Sequence, residues 1–208
     1  MAKGLANKLG YLYVDTGAMY RAVTLFCIKN GFLENGKFNK KEAIQSLDKI
    51  KIQFQKKPGE AAPTTLLSGV NVEKDIRSME VSKQVSKVSS VREIRQKMVA
   101  LQQEMGKKKG VVMEGRDIGT VVFPAAELKI FMTANIDTRV KRRYDELTAK
   151  GAKITLEEVK ENISSRDYKD THRKESPLLL APDAVILDNT NMTPEKQLEF
   201  ALNLITKR

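Results

Sequence analysis

The stretch YLYVDTGAMYR, residues 11–21, decides the fold of this chain. It opens with an apolar run, Tyr11–Val14, and continues into a helical pattern whose N-cap is Asp15 or Thr16. In folds that alternate parallel strands with helices, ligands bind where a strand ends and a helix begins. Arg21 lies about one turn inside this helix, and a guanidinium suits bidentate contact with phosphate. An ordinary capped helix with a surface arginine is equally compatible with this spacing.

Three further apolar runs resemble the first in length and in the turn or acidic residues that end them: Val111–Met113, Leu128–Met132 and Ala184–Leu187. Continuous rather than alternating apolarity predicts strands buried on both faces, as in a parallel sheet. Helical patterns lie between the runs, and their starts are recognisable at Asn39 with Glu42, Ser90 with Glu93, Thr155 with Glu158, and Thr193 before Pro194. Strands that alternate with helices predict an α/β fold.

The stretch from about Ile50 to Val72 departs from this alternation. Residues Lys51–Gln55 alternate between polar and apolar, and Thr64–Val72 forms a second extended run after Pro63. We interpret this stretch as a small antiparallel insert on the main body.

Apolar residues recur at helical spacing from Ile76 to Met105. We expect the pair Ser89-Ser90 to divide this stretch into two helices. In one continuous helix Ser86 and Arg95 would lie on opposite faces, because they are nine residues apart. The break allows both side chains to face one pocket.

The loop Glu114–Thr120 follows the most apolar short run of the chain. Two glycines flank an Arg-Asp pair here, and they allow the backbone to approach a ligand closely. Arg116 is a candidate for holding a phosphate, and Asp117 for accepting a hydrogen bond from an exocyclic amine. The alternative is a tight turn with an internal ion pair.

Two groups of arginines lie further along the chain. Arg166, Asp170 and Arg173 are spaced by four and three, so they share one face of a helix. Taken alone, this spacing is better explained by a solvated helix with an i,i+4 ion pair, and such pairs stabilise little. Beside the loops above, however, the segment adds two arginines to a site for phosphate.

The second group, Arg139, Arg142 and Arg143, precedes Gly151 in a stretch that we interpret as a lid. A solvated helix face remains the alternative for at least one member. His172 is the sole histidine of the sequence, which excludes a multi-histidine metal site within these residues and gives no support to histidine-based catalysis.

The composition is that of a folded protein, because 41 % of the 208 residues are apolar. No apolar run reaches the length of a bilayer, and the first residues lack the apolar core of a signal peptide. Cys27, the single cysteine, lies in an apolar run typical of a packed core, so these residues form no intrachain disulfide. We therefore expect a reducing, cytoplasmic location.

The net charge of +11 admits two kinds of ligand, since a positive surface attracts nucleic acids and also small polyanions such as nucleotides. Lysines in solvated turns, such as Lys107–Lys109, explain most of this charge. The arginines are better candidates for a site because they recur beside glycines, acids and strand ends.

Three motifs in this order resemble the bacterial cytidylate kinases, a family of nucleoside-monophosphate kinases. The motifs are VDTGAMYR at 14–21, GRDIGTVV at 115–122, and SRD at 165–167 followed by Asp170, Arg173 and Ser176–Leu178. The resemblance extends along essentially the whole chain. It implies a doubly wound parallel sheet of the P-loop kinase type, with a small antiparallel insert in the monophosphate-binding region and a helical lid.

The resemblance also implies a division of the chain and a set of roles. A single kinase domain over 1–208 would have a core of 1–15, 108–137 and 174–208, a monophosphate-binding region over 16–107 with its insert at about 50–72, and a lid with flanking helices over 138–173. Ser86, Arg95 and Asp117 would bind cytosine; Arg21, Arg116 and Arg173 the 5′-phosphate; Asp170 the ribose; and Arg166, with the lid residue Arg142, the transferring phosphoryl group. The implied substrates are CMP, dCMP and ATP with Mg²⁺, and we expect a monomer.

One motif of the family does not occur in these 208 residues, namely the phosphate-binding loop G-x-x-x-x-G-K-[ST]. The opening residues, Met1–Leu9, resemble the helix that follows that loop in the family. The resemblance therefore implies a chain truncated at its N-terminus, which lacks the family's first strand and ATP phosphate loop. Either a start codon assigned too far downstream or a truncated gene would explain this. The sequence holds no cofactor-binding loop and no evident metal ligands, so we expect it to be a poor or inactive kinase. We also expect it to be less stable than a chain that includes the first strand and the loop.

Two other functions remain open at this stage. The chain is alternatively a non-catalytic remnant that still binds cytidine monophosphate. A basic RNA-binding protein is the third possibility, but only 6 % of the residues are aromatic, tryptophan is absent and no RNA-binding motif occurs. We therefore expect neither nucleic acids nor membranes as partners.

Overall fold

The computed structural model describes residues 1–55, 63–149 and 151–206. The α-helices in these ranges are α1 (Ala2–Leu9), α2 (Thr16–Lys29), α3 (Lys40–Gln45), α4 (Met79–Ser89), α5 (Arg92–Gly106), α6 (Ile136–Ala149), α7 (Leu156–His172) and α8 (Pro194–Thr206). The strands are β1 (Leu12–Asp15), β2 (Leu33–Glu34), β3 (Lys37–Phe38), β4 (Ile52–Gln55), β5 (Thr64–Leu67), β6 (Val70–Asn71), β7 (Val111–Glu114), β8 (Ile130–Thr133) and β9 (Val185–Asp188). Short 3₁₀ turns lie at Leu47–Lys49 and Asp75–Arg77, and a π-helical turn at Ile118–Val122.

The four apolar runs form parallel strands, as predicted. Strand β1 pairs with β7, so that Asp15 lies beside Glu114. Strand β8 pairs with β9, so that Thr133 lies beside Asp188. Within the described ranges, no ladder joins the two pairs. The α/β fold with parallel strands is confirmed, and the carboxyl ends of paired strands are level with each other.

Burial of these strands is lower than the sequence predicts. Val14 is fully buried, but Met132 in β8 is 40 % exposed and Ile186 in β9 is 56 % exposed. Each parallel sheet is only two strands wide, so its edges and part of its faces stay in contact with solvent. The prediction of strands buried on both faces is therefore wrong for β8 and β9.

Helix α2 runs through the main apolar core. Its residues Ala18, Met19 and Val23 are fully buried and pack in one cluster with residues of α4 and α5, among them Val81, Val88, Ile94 and Met98. Cys27 lies in the same core, as predicted, and burial raises the pKa of its thiol to about 11. This packing fixes α2 and α4 side by side, and both helices carry residues of the candidate site.

The insert is a three-stranded antiparallel sheet in the order β4-β5-β6, which confirms its predicted type. Ile52 in β4 pairs with Leu67 in β5, and both are buried against the core. Residues 56–62, which fall within the predicted insert, lie outside the described residues.

Three predicted helix starts are confirmed and one is wrong. Asn39 caps α3 by accepting a hydrogen bond from the Glu42 amide, Thr155 forms a full capping box with Glu158, and α8 begins at Pro194. Ser90 does not cap α5, because its backbone is still helical and its hydroxyl donates to the Lys87 carbonyl. The predicted break is nevertheless present between α4 and α5. None of the helices in the described ranges is long and apolar enough to cross a membrane.

Candidate active site

Arg21 is held at the junction of α2 and α4. Asp15 caps α2 by accepting a hydrogen bond from the Ala18 amide at 3.0 Å, which fixes the start of the helix. One turn further, Arg21 Nη1 donates to Ser82 Oγ at 2.8 Å and to the Ile76 carbonyl at 3.2 Å. Burial and, next in size, the charge of the neighbouring Arg166 lower the pKa of Arg21 to about 10. The guanidinium thus lies in an environment that favours an incoming anion.

Arg21 opens onto a cavity of about 460 Å³. Of the described residues that line it, seven are arginines or lysines and one is an aspartate. The lining residues are Arg21, Ser82, Lys83, Ser86, Arg116, Arg139, Arg143, Asn162, Ile163, Ser165, Arg166, Asp167 and Lys169. Such an excess of cations in a concave site concentrates a positive field and attracts polyanions.

Asp170 gathers three of the predicted arginines around one carboxylate. Arg116 Nε donates to Asp170 Oδ2 at 2.8 Å, Arg166 Nε lies 3.8 Å from the same oxygen, and Arg173 Nη1 lies 3.6 Å from Oδ1. Burial is the largest cause that lowers the pKa of Arg166, followed by the charge of Arg116. One carboxylate cannot neutralise three guanidinium groups, so the cluster keeps net positive charge.

Arg173 extends this cluster away from the main cavity. Its Nε donates to the Ser176 carbonyl at 2.7 Å, which a left-handed backbone conformation at Ser176 places in reach. Among the described residues its buried Nη2 has no hydrogen-bond partner. An unsatisfied buried guanidinium nitrogen is costly, and an anion bound there would satisfy it.

Arg95 and Asp117 form a buried ion pair, with side chains 3 % and 5 % exposed. Arg95 Nη1 also donates to the Ser89 carbonyl at 3.0 Å, and its guanidinium lies 5.2 Å from the centre of the Tyr20 ring. Burial raises the pKa of Tyr20 to about 12. The charges of Arg95 and Asp117 both act on Arg173, so this pair adjoins the arginine cluster around Asp170.

The loop after β7 requires glycine at position 115. A Cβ there would lie 2.3 Å from Thr16 Oγ1 and 2.9 Å from Ile118 Cδ1. Thr16 Oγ1 itself donates to the Glu114 carbonyl at 2.8 Å and so ties the start of α2 to the end of β7. The two sequence motifs meet here, and this contact brings Arg21 and Arg116 to one side of the molecule.

The structure brings most of the predicted site residues together. Arg21, Ser86, Arg116 and Arg166 line the cavity, Asp170 and Arg173 join it through shared ion pairs, and Arg95 with Asp117 forms the buried pair behind it. Arg142 is the exception, because it is not among the described residues that line the cavity. It binds the Asn189–Met192 loop instead.

On α6 the residues that face the cavity are Arg139 and Arg143. They lie four apart and so share a helix face, whereas Arg142 points elsewhere. Arg139 pairs with Asp167 on α7, and Arg143 Nη1 donates to Glu146 at 2.7 Å. The sequence already contained the spacing that distinguishes these arginines.

Ser82 and Lys83 also line the cavity, although neither was predicted. Ser82 lies one turn before Ser86 on α4, so a search for polar residues at i−4 from a predicted site residue would have found it. Its contact with Arg21 needs the packing of α2 on α4, which the sequence pattern alone does not specify.

The fold and the site together define an α/β protein with a strongly cationic cavity beside the carboxyl ends of parallel strands, the place where such folds bind ligands. The family model for cytidylate kinase matches residues 1–207. A cytidylate kinase from Parabacteroides distasonis is 55 % identical, over 97 % of this chain and 88 % of the relative. Cytidylate kinases from Flavobacterium psychrophilum and Bacteroides thetaiotaomicron are 48 % and 52 % identical, over 99 % and 96 % of this chain and 91 % and 87 % of each relative. This chain therefore belongs to the cytidylate kinase family.

Proposed function

We propose that this protein transfers the γ-phosphate of ATP to CMP or dCMP, giving CDP or dCDP. The observation that carries the proposal is the convergence of Arg21, Arg116 and Arg166 on one cavity. Phosphoryl transfer needs little covalent help from a protein, but it needs two anionic substrates aligned and their charge neutralised. A cavity with this excess of guanidinium groups supplies that neutralisation.

The acceptor's 5′-phosphate binds Arg21, Arg116 and Arg173. Support comes from the lowered pKa of Arg21, which a dianion would raise again, and from the unsatisfied Nη2 of Arg173 among the described residues. Asp170 accepts hydrogen bonds from the ribose hydroxyls, and its carboxylate lies within the arginine cluster that holds the phosphate.

The cytosine ring binds Asp117, Arg95 and Ser86. Cytosine has an exocyclic amine beside the acceptors N3 and O2, so a carboxylate and a guanidinium match its edge. Uracil presents a carbonyl oxygen in place of the amine, and that oxygen would face the Asp117 carboxylate. The buried state of the Arg95–Asp117 pair strengthens this discrimination, because an unmatched polar group is costly away from water.

Arg166 contacts the transferring phosphoryl group, and the arginines of α6 that line the cavity, Arg139 and Arg143, assist it. This proposal replaces Arg142 with its neighbour Arg143 at the reaction centre. A closing lid formed by α6 and α7 would exclude water and strengthen these interactions.

Mg²⁺ enters with ATP. The described residues hold no group of three or more carboxylate, histidine or cysteine side chains placed to ligate a metal ion. Magnesium is ordinarily held by one or two carboxylates and by the phosphates of the substrate. When bound with ATP, the ion would supply neutralisation of the phosphate charge. We further propose a cytoplasmic monomer that acts on free nucleotides.

A coupled assay of nucleoside-diphosphate formation tests the proposal, with CMP, dCMP, UMP and AMP as acceptors and ATP with Mg²⁺ as donor. We expect CDP and dCDP formation well above that from UMP or AMP, and loss of activity in Arg166→Met. CMP binding without CDP formation would favour the non-catalytic alternative. Binding of single-stranded RNA with no affinity for CMP would refute the proposal.

A further inference from the structure

Arg142 binds a loop rather than the cavity. Its Nη1 donates to Asn189 Oδ1 at 2.6 Å, and its Nη2 donates to the Asn189 carbonyl at 2.8 Å. The same Nη2 lies 3.3 Å from the Thr190 carbonyl and 3.4 Å from the Met192 carbonyl. Both terminal nitrogens of Arg142 therefore face the loop that follows β9, and the side chain does not line the cavity.

This Asn189–Met192 loop is already tied to its surroundings at three points. The Asn189 amide donates to the Thr133 carbonyl at the end of β8, at 2.8 Å. The Asn135 amide, just before α6, donates to Thr190 Oγ1 at 3.0 Å. Gln197 of α8 donates to the Met192 carbonyl at 3.2 Å. Arg142 adds a fourth point about two turns into α6, so it fixes the body of the helix and not only its start.

Arg143, the residue next to Arg142, is repelled by the other cations of the cavity. Arg143 lines the cavity, and its charge contributes to lowering the pKa values of Arg21 and Arg166. Like charges in one cavity repel each other, and this repulsion acts to push the α6 face out of the site when no anion is bound. A helix fixed from its other side resists that displacement.

We propose that Arg142 is a positioning residue that fixes α6 against the Asn189–Met192 loop and so keeps Arg143 facing the phosphoryl-transfer end of the cavity. The proposal rests on the proposed function, since it assigns Arg143 to the phosphoryl group that CDP carries and CMP lacks. Arg142 itself touches neither nucleotide. It acts through Arg143, and its effect is therefore specific to the terminal phosphate of the diphosphate.

Calorimetry tests the positioning role of Arg142 without requiring turnover. CMP and CDP binding are measured for the parent protein, Arg142→Met, Arg143→Met and the double variant. We expect each single variant to weaken CDP binding by about tenfold, the effect of losing one hydrogen bond to a charged group, and to change CMP binding by less than about twofold. The double variant should bind CDP no more weakly than Arg143→Met, because the two residues act as one unit.

Three comparisons control the experiment. Arg142→Lys keeps a positive charge, and its ammonium group can donate to one or two of the loop carbonyls. It should therefore recover part of the CDP affinity. Arg92→Met removes an exposed arginine of α5 outside the cavity and should leave both affinities unchanged. Hydrogen exchange of the Asn189–Met192 amides should quicken in Arg142→Met and stay at the parent rate in Arg143→Met.

Additive losses in the double variant would overturn the proposal, as would an Arg142→Met protein that loses CMP and CDP affinity equally. Unchanged hydrogen exchange in the loop would overturn it as well, with or without nucleotide. Failure of the parent protein to bind CMP would refute the proposed function instead, while the exchange result would still decide whether Arg142 fixes the loop.

Discussion

Replacement of Asp117 by asparagine tests the buried ion pair on which cytosine recognition is proposed to depend. The side chains of Asp117 and Arg95 are 5 % and 3 % exposed. Removing one partner of such a pair leaves the other charge uncompensated and costs about 3–5 kcal/mol. Arg95 would keep the Ser89 carbonyl at 3.0 Å and the Tyr20 ring at 5.2 Å, neither of which carries a negative charge. Since 1 kcal/mol shifts the Tm of a protein of this size by about 2–4 °C, we expect the Tm to fall by about 6–20 °C.

Thermal unfolding followed by circular dichroism measures this change. Asp48→Asn is the matched control, because Asp48 pairs with Lys97 at 2.8 Å while its side chain is 95 % exposed; its Tm should stay at the parent value. The double variant Arg95→Met/Asp117→Leu removes both buried charges and should regain most of the lost Tm, since apolar residues of similar volume can replace a buried pair at little cost. The same double variant should no longer bind CMP.

A Tm of Asp117→Asn within about 2 °C of the parent would refute the reasoning on stability, because a buried uncompensated guanidinium cannot cost so little. CMP affinity retained by the double variant would refute the proposal that this pair recognises cytosine, even if the stability argument held. The two outcomes are separate, so the experiment distinguishes a structural pair from a pair that also recognises cytosine.

Three further predictions follow from other contacts. Ser82→Ala removes the hydroxyl that holds Arg21 at 2.8 Å and should weaken CMP binding by about tenfold in calorimetry, with little change in Tm. Gly115→Ala places a Cβ 2.3 Å from Thr16 Oγ1 and should lower the free energy of unfolding by about 1–3 kcal/mol in urea denaturation. Burial raises the pKa of the Cys27 thiol to about 11, so at pH 8 the folded protein should react with maleimide far more slowly than the urea-unfolded chain.

The first two of these predictions each have a control variant. Ser89→Ala removes a hydroxyl that donates within its own turn of α4, and its CMP affinity should match the parent. Gly4 lies inside helix α1, and a Cβ there would lie 3.4 Å from the Leu198 side chain of α8, an ordinary contact, so Gly4→Ala should leave the unfolding free energy equal or higher. Equal CMP affinity in Ser82→Ala, an unchanged unfolding curve for Gly115→Ala, or rapid labelling of Cys27 in the folded protein would contradict the corresponding prediction.

Local features of the fold were predictable because they depend on neighbouring residues. The apolar runs located all four parallel strands to within about two residues, and Asn39 and Thr155 cap their helices as their sequence context indicates. Ser90 shows the limit of such patterns, since the same hydroxyl can cap one helix or bond back to the preceding one. The exposure of Met132 and Ile186 was not predicted, because the apolar character of a run does not determine how many strands its sheet contains.

The site shows the same division between local and distant causes. That Arg21 and Arg116 meet was predictable, because each follows a parallel strand and such strands end at one edge of a sheet. Which arginine of α6 faces the cavity depends on two facts of different kinds. The four-residue spacing of Arg139 and Arg143 is local and indicates one shared face. The partner of Arg142 is an asparagine 47 positions away, and no spacing rule identifies that contact. An arginine of this cluster is therefore assigned to the substrate only when its side chain lines the cavity, which is the reason for placing Arg143 and not Arg142 at the transferring phosphoryl group.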